Sequence, residues 1–190
     1  MQQIWAQVER RLEELGCLEA MELRAGASEA EIRCLEKHLA VTLPDALRDF
    51  LARHDGQNGF GLMYGEQFLS VDGIRNQWDT WRSLDEADMN ADSAEWMKSA
   101  PEGAVQPMYC NTRWIPLTHD AGGNHIGLDF DPGVSGTSGQ VIVFGRDEDT
   151  KRLLAPSFTE FLSEWAAMLE KATWDGEALE TPWPAARSGH

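Results

Sequence analysis

Trp114-Ile115-Pro116-Leu117-Thr118-His119-Asp120-Ala121-Gly122-Gly123-Asn124-His125-Ile126-Gly127-Leu128-Asp129-Phe130-Asp131-Pro132 decides the fold. From Trp114 to Thr118 the side chains alternate. Ile115 and Leu117 point one way, Trp114 and Thr118 the other, which is the period of a strand with one face in the core. Gly122-Gly123-Asn124 supplies a turn. Ile126, Leu128 and Phe130 then line one face of a second strand, with Gly127, Asp129 and Asp131 on the opposite face. Two such strands around a short glycine-rich turn read as an antiparallel hairpin.

Moving toward the C-terminus, Pro132–Gly139 carries three glycines at a spacing of three and reads as a longer loop. Gln140–Phe144, rich in Val and Ile, reads as a third strand, and Asp147-Glu148-Asp149 as a turn. Phe158, Phe161, Leu162, Trp165 and Leu169 recur at helical spacing, the stripe of a closing helix that Ser157 caps.

Toward the N-terminus the pattern is helical. Ile4, Trp5, Val8, Leu12 and Leu15 predict a helix over 3–15, stopped at Gly16. Ser28 and Glu31 form a capping box, each satisfying the other's free N–H, and open a second helix with Ile32, Leu35 and Leu39 as its stripe. Pro44 suits the first turn of a third helix, because its missing N–H has no partner there anyway. Leu47, Phe50 and Leu51 face inward, and His54-Asp55-Gly56 ends it. Gln57–Gly65 is a loop. Ile74, Trp78 and Trp81 mark a helix begun near Asp72. The acidic stretch 85–93 reads as a solvated connection, followed by a short helix over Glu95–Ala100. Helices at both ends of a hairpin-rich middle give an α+β class. The expectation is a single domain over 1–172, with a mainly antiparallel central sheet flanked by helices, and a C-terminal tail over 173–190. Trp174 and Trp183 are the residues able to pin that tail.

Composition narrows the function. The 190 residues include 32 acidic and 16 basic side chains, a net charge of −16. Such a surface repels nucleic acid, whose phosphates need cations, and repels anionic membranes. It attracts basic proteins, and it equally well only keeps a protein soluble. Cys17, Cys34 and Cys110 are widely spaced and odd in number, so they read as reduced thiols. No apolar run approaches the ~18–20 residues of a membrane span, and the N-terminus has no signal-peptide pattern. A cytoplasmic location is expected.

Few residues invite chemistry. His119-Asp120 is an adjacent pair of a kind found in metal-dependent phosphohydrolases, but the further ligands such sites need are missing. Asp120, Asp129 and Asp131 offer three oxygens where calcium takes more, and Asp131-Pro132-Gly133 is an ordinary turn. The glycine-rich loop appears before a strand and not before a helix, unlike a phosphate loop. No Ser or Cys stands beside a matched base. Catalytic, cofactor and metal sites are therefore all left unassigned, with a hydrolase using His119, Asp120, Asp129 and Asp131 as the weakest rival. Trp114, on the strand face away from Ile115, is either an exposed anchor or part of the core.

These residues also carry a resemblance. Leu43-Pro44, Leu47, Phe50-Leu51 and His54-Asp55-Gly56, then Trp114-Ile115-Pro116-Leu117, Asp120, Gly123-Asn124 and Ile126–Pro132, resemble the SUKH superfamily, which includes the fungal Smi/Knr cell-wall assembly regulators. Gly139-Gln140-Val141-Ile142, Phe144-Gly145, Asp147-Glu148-Asp149, Ser157-Phe158 and Phe161-Leu162 continue the match over residues 28–169. Ala40 departs from it, standing where many members have a helix-ending glycine. The resemblance implies binding and not catalysis. Many bacterial members neutralise secreted polymorphic toxins, whereas fungal members act in cell-wall signalling. The expectation drawn is an immunity protein that occludes a cognate toxin with a basic surface. A non-toxin regulatory interaction module is the alternative. Asp120, Asp129, Asp131, Asp147, Glu148 and Asp149, with Trp114 as anchor, are the candidate partner-binding residues, and Asp129 and Asp131 equally suit a role as turn scaffold.

Overall fold

Amphipathic spacing and caps set the helices. A computed structural model describes residues 2–86 and 88–183. Helix α1 spans Gln2–Leu15 and buries Trp5, Val8 and Leu12. Helix α2 spans Glu29–Leu39. Its capping box is formed: the Ser28 hydroxyl accepts from Glu31 N–H at 3.3 Å, and Ser28 N–H donates to the Glu31 carboxylate at 2.7 Å. At its other end Ala40 adopts φ 53°, the left-handed turn for which a glycine would be cheaper by about 1 kcal/mol. The helix stops as sharply as a glycine would stop it. Helix α3 spans Asp45–Arg53, directly after Pro44, and α4 spans Val71–Glu86.

The strands are β1 Gln67–Phe68, β2 Lys98–Ala100, β3 Trp114–Pro116, β4 Thr118–His119, β5 Asn124–Asp129, β6 Gln140–Gly145 and β7 Thr150–Ala155. Helix α5 (Met89–Ser93) precedes β2, and α6 (Phe158–Leu169) follows β7. The central sheet runs β2-β7-β6-β5-β3, antiparallel except for the β2–β7 pair. The α+β architecture with a mainly antiparallel sheet is therefore as the sequence indicates. Among the described residues no helix is long and apolar enough to cross a membrane.

Three local expectations change. The short helix lies at 89–93, inside the supposed solvated connection, and 98–100 is an edge strand. Strand β7 has no apolar alternation to announce it, because Lys151 is buried and Arg152 pairs with Glu148 at 3.1 Å. The first part of the expected tail is structured: β8 (Thr173–Trp174) and β9 (Leu179–Glu180) form a hairpin, and Trp183 stacks on Tyr64 with ring centroids 4.3 Å apart. Residues 184–190 of the expected tail lie outside the described residues.

Both faces of the sheet are covered. Ile115, Ile126, Leu128, Val141, Val143 and Leu154 pack with the residues of α1, α2, α3 and α6 in the larger core. Trp114, Ile142 and Phe144, on the reverse face, pack with Trp81, Ala104, Val105 and Cys110. Helix α4 contributes to both, Ile74 and Trp78 to the first and Trp81 to the second. The face carrying Gly127 and Asp129 is thus a second interior.

Candidate interaction site

That second interior has polar members, and each is built in. His125 is buried: its Nδ1–H donates to Thr118 O at 2.6 Å, and its Nε2 accepts from the Trp81 indole N–H at 2.8 Å. Burial pulls its pKa down to about 4, only partly countered by Thr118 O. Lys151 is also fully buried, donating to the carbonyls of Gly145 and Glu148 beneath the rings of Tyr109 and Trp114. Burial lowers it to about 8, against the pull of Glu148 and Asp149.

The sequence-predicted acids fall into two groups at opposite ends of β5, which are separated by roughly 17 Å at ~3.3 Å per residue. At one end Asp120 organises the β4–β5 turn. Its Oδ1 accepts from the N–H groups of Gly122, Gly123 and Asn124 at 2.7, 2.9 and 2.8 Å, and its Oδ2 from the Asn124 side chain at 2.6 Å. Burial raises its pKa, but these donors outweigh that and hold it below the ordinary carboxylate range. Asn124 also reaches the β6–β7 turn, accepting from Asp147 N–H at 2.9 Å and donating to its carboxylate at 3.2 Å. Gly145 permits this approach, since a Cβ there would lie 2.4 Å from Asn124 Cα. The joined turns present Asp147 and Asp149 to solvent, with Glu148 half-buried against Arg152. Glu66 lies beneath them. It accepts from the Thr118 hydroxyl, and burial, with Asp120 and Glu148 nearby, pushes its pKa up to about 8.

At the other end Asp129 is fully buried. Its carboxylate accepts from Asp131 N–H at 2.9 Å and Gln140 Nε2 at 2.8 Å. Gln140 also donates to Ala104 O at 2.8 Å, and the exposed Asp131 takes the Asn111 amide at 2.9 Å. These bonds are of the kind that a turn scaffold makes. Asp129 fixes the 129–140 loop, and that loop clamps the 103–105 segment through Gly133 N–H to Ala104 O at 3.1 Å.

Trp114 is only 1 % exposed, so it is not a surface anchor; the strand face it occupies is the second core. The hydrolase quartet is likewise not assembled. His119 and Asp120 lie at one end of β5 and Asp129 and Asp131 at the other, and among the described residues no three His, Cys, Asp or Glu side chains are grouped to hold a metal ion. Sequence reasoning missed Trp96, which is 61 % exposed on the turn between α5 and β2. Its signal is a Trp among Asp88, Asp92 and Glu95 without an apolar stripe to join.

Comparison with known proteins fixes the kinship. The chain is 36 % identical over 182 residues to the cell wall biosynthesis/cell cycle regulator smi1 of Schizosaccharomyces pombe, a match covering 90 % of this chain and 36 % of the relative. It is 32 % identical to the cell wall assembly regulator SMI1 of Saccharomyces cerevisiae, covering 76 % of this chain and 35 % of the relative. It is 30 % identical to the glucan synthesis regulatory protein of Neurospora crassa, covering 90 % and 38 %. The chain spans about a third of the length of these curated relatives. They overturn the toxin reading: the similarity runs to fungal cell-wall and glucan-synthesis regulators, and none of these three is named for a toxin or an immunity protein. Residues 26–164 match the SMI1/KNR4 family, also called SUKH-1, and the chain belongs to that family.

Proposed function

We propose that this chain is a protein-interaction module of the cell-wall assembly regulator type, acting in the cytoplasm by binding and not by catalysis. The single observation that carries the reading is the likeness to fungal cell-wall regulators over most of the chain. Chemistry agrees with it. The most strongly perturbed groups, His125, Lys151 and Glu66, are bonded into the frame of the sheet end, and Asp120 is used up by its own turn. A catalytic group instead has to meet a substrate within hydrogen-bond reach. The free thiols, two of them buried, fit a reducing compartment.

The proposed partner is a protein with a basic surface. A net charge of −16 speeds capture of such a partner and disfavours nucleic acid and anionic membranes. The test is removal of the gene from its own host, followed by survival under a wall-digesting enzyme, with the full chain restored on a plasmid. Weakened resistance that the plasmid repairs supports the reading. Unchanged wall resistance and wall composition in the deletion strain refute it.

A further inference from the structure

Trp96 is a large apolar side chain that the fold does not use. Indole rings bury ~150–250 Å² when packed, so exposing one forgoes much of the gain a core position offers. The backbone around it is nevertheless fixed. Trp96 N–H donates to Ser93 O at 3.0 Å, and its neighbours Ser93 and Met97 are both buried. Ala91, Asp92, Ala94, Glu95 and Lys98 are exposed beside it. Lys98 N–H donates to Asp149 O at 2.9 Å, which sets the β6–β7 turn next to the start of β2. The exposed Asp147 and Asp149 therefore extend the acidic surface of Asp92 and Glu95, with Lys98 and Arg146 as the cations of this stretch.

We infer that Trp96 anchors a docking surface for a lysine- or arginine-rich segment of a partner protein, with Asp92, Glu95 and Asp149 as its rim. The inference rests on the interaction-module reading above. Charge complementarity selects this occupant. A guanidinium or ammonium group is attracted to an indole face, its aliphatic stem covers the ring, and the surrounding carboxylates pair with the charge. A second copy of this chain carries the same net charge of −16 and is disfavoured by that like charge. Central aromatic anchors with a polar rim are also the usual anatomy of protein interfaces.

The probe is a ten-residue peptide of alternating arginine and alanine, titrated into the full chain at low and moderate salt. Binding is followed through the indole N–H signals in NMR spectra, with W96F assigning the signal of interest. The Trp96 signal is expected to move most. Trp96→Ala is expected to weaken binding about tenfold, the scale of a central aromatic anchor, with Tm unchanged because the side chain is mostly in solvent. Asp92→Asn with Glu95→Gln should weaken binding several-fold and flatten its salt dependence. Glu13→Gln with Glu160→Gln removes the same charge elsewhere and should change affinity less than about twofold. Equal affinity of wild type and W96A overturns the inference, as does an equal loss in the Glu13/Glu160 variant. So does a Trp96 signal that shifts with protein concentration alone, which would mean that a second copy covers it. The two readings fail separately: wall resistance restored by the W96A chain removes the surface and leaves the module, whereas a deletion strain with a normal wall removes the module whatever the peptide does.

Discussion

Replacing His125 with Gln tests whether the polar interior behind the sheet is structural. The imidazole must be neutral there, because Nε2 accepts from the Trp81 indole at 2.8 Å while Nδ1–H donates to Thr118 O at 2.6 Å. A second proton, on Nε2, would face the Trp81 N–H donor at a fully buried position. Burial accordingly sets the folded pKa near 4 against an ordinary 6.5. Above pH 6.5 both folded and unfolded chains hold the neutral ring, and the group costs nothing. Between 6.5 and about 4 the unfolded chain takes up a proton that the folded chain refuses, so stability falls by about 1.4 kcal/mol per pH unit. Over that window the loss reaches about 3 kcal/mol, a large share of a typical domain's margin. Gln keeps one acceptor and one donor but does not titrate. Urea unfolding of wild type and His125→Gln at intervals from pH 4 to 8 isolates the effect, since both chains share every other titrating group. The variant is expected to be about 1–2 kcal/mol weaker at pH 8, where it lacks the ring contacts with Phe144 and Trp81, and to overtake the wild type by pH 4.5. Parallel curves across the whole range would refute the reasoning.

Glu66→Gln should act in the opposite pH window. Its folded pKa of about 8 lies above the ordinary 4.5, so the wild-type carboxyl contributes fully below pH 4.5 and loses that contribution as pH rises to 8. The variant should therefore raise Tm by a few degrees at pH 8 and change nothing at pH 4, as scanning calorimetry would read. Gly127→Ala should be among the most damaging single changes, costing about 3 kcal/mol or more in urea unfolding, because a Cβ would lie 2.3 Å from Ile115 O and 2.8 Å from the Phe144 ring. Truncation after Ala172 removes the β8–β9 hairpin, the buried Leu179 and the Trp183 stack on Tyr64. It should lower stability by a few kcal/mol in the same assay.

What was legible in the sequence follows from how each element earns its stability. Helices α1, α2, α3 and α6 each bury one stripe in the larger core, and 3.6-residue spacing reports a single stripe faithfully. The capping box at Ser28 was legible because both of its bonds are local. Strands β3 and β5 were recognisable from alternation and β6 from its Val and Ile content, but which faces were buried was not. Alternation with Gly127 and Asp129 suggests a solvent face, and here the second layer of α4, α5 and the 101–112 segment covers it. Strand β7 was hidden because its buried lysine breaks the apolar pattern, although carbonyls of the turn just before it satisfy the ammonium group. Trp114 was ambiguous for the same reason. A strand residue opposite the main core belongs to solvent or to another layer, and only tertiary structure supplies that layer.

The correction of function has a related physical origin. Trp114 fills the second core, Asp120 folds its turn, Gly127 allows β3 and β5 to approach, and Asp129 pins the 129–140 loop. These are the residues of the central motif, and their demands are those of folding. A likeness resting on them therefore carries the architecture well and is indifferent to what the domain binds, because a partner never touches Trp114 or Asp129. A toxin inhibitor and a wall regulator can share them at no cost to either. On the proposed reading, partner choice is then written in side chains that the fold leaves free, which with both faces of the sheet covered lie on the outer helix faces, the sheet ends and the segment leading into the β2 edge. Trp96 stands at that edge, outside every motif residue, with its indole in water and its backbone held. The same logic predicts that exchanging residues 91–98 for the matching segment of a relative would move binding preference while leaving the unfolding midpoint nearly unchanged. Exchanging 114–131 would disturb stability long before it altered choice of partner.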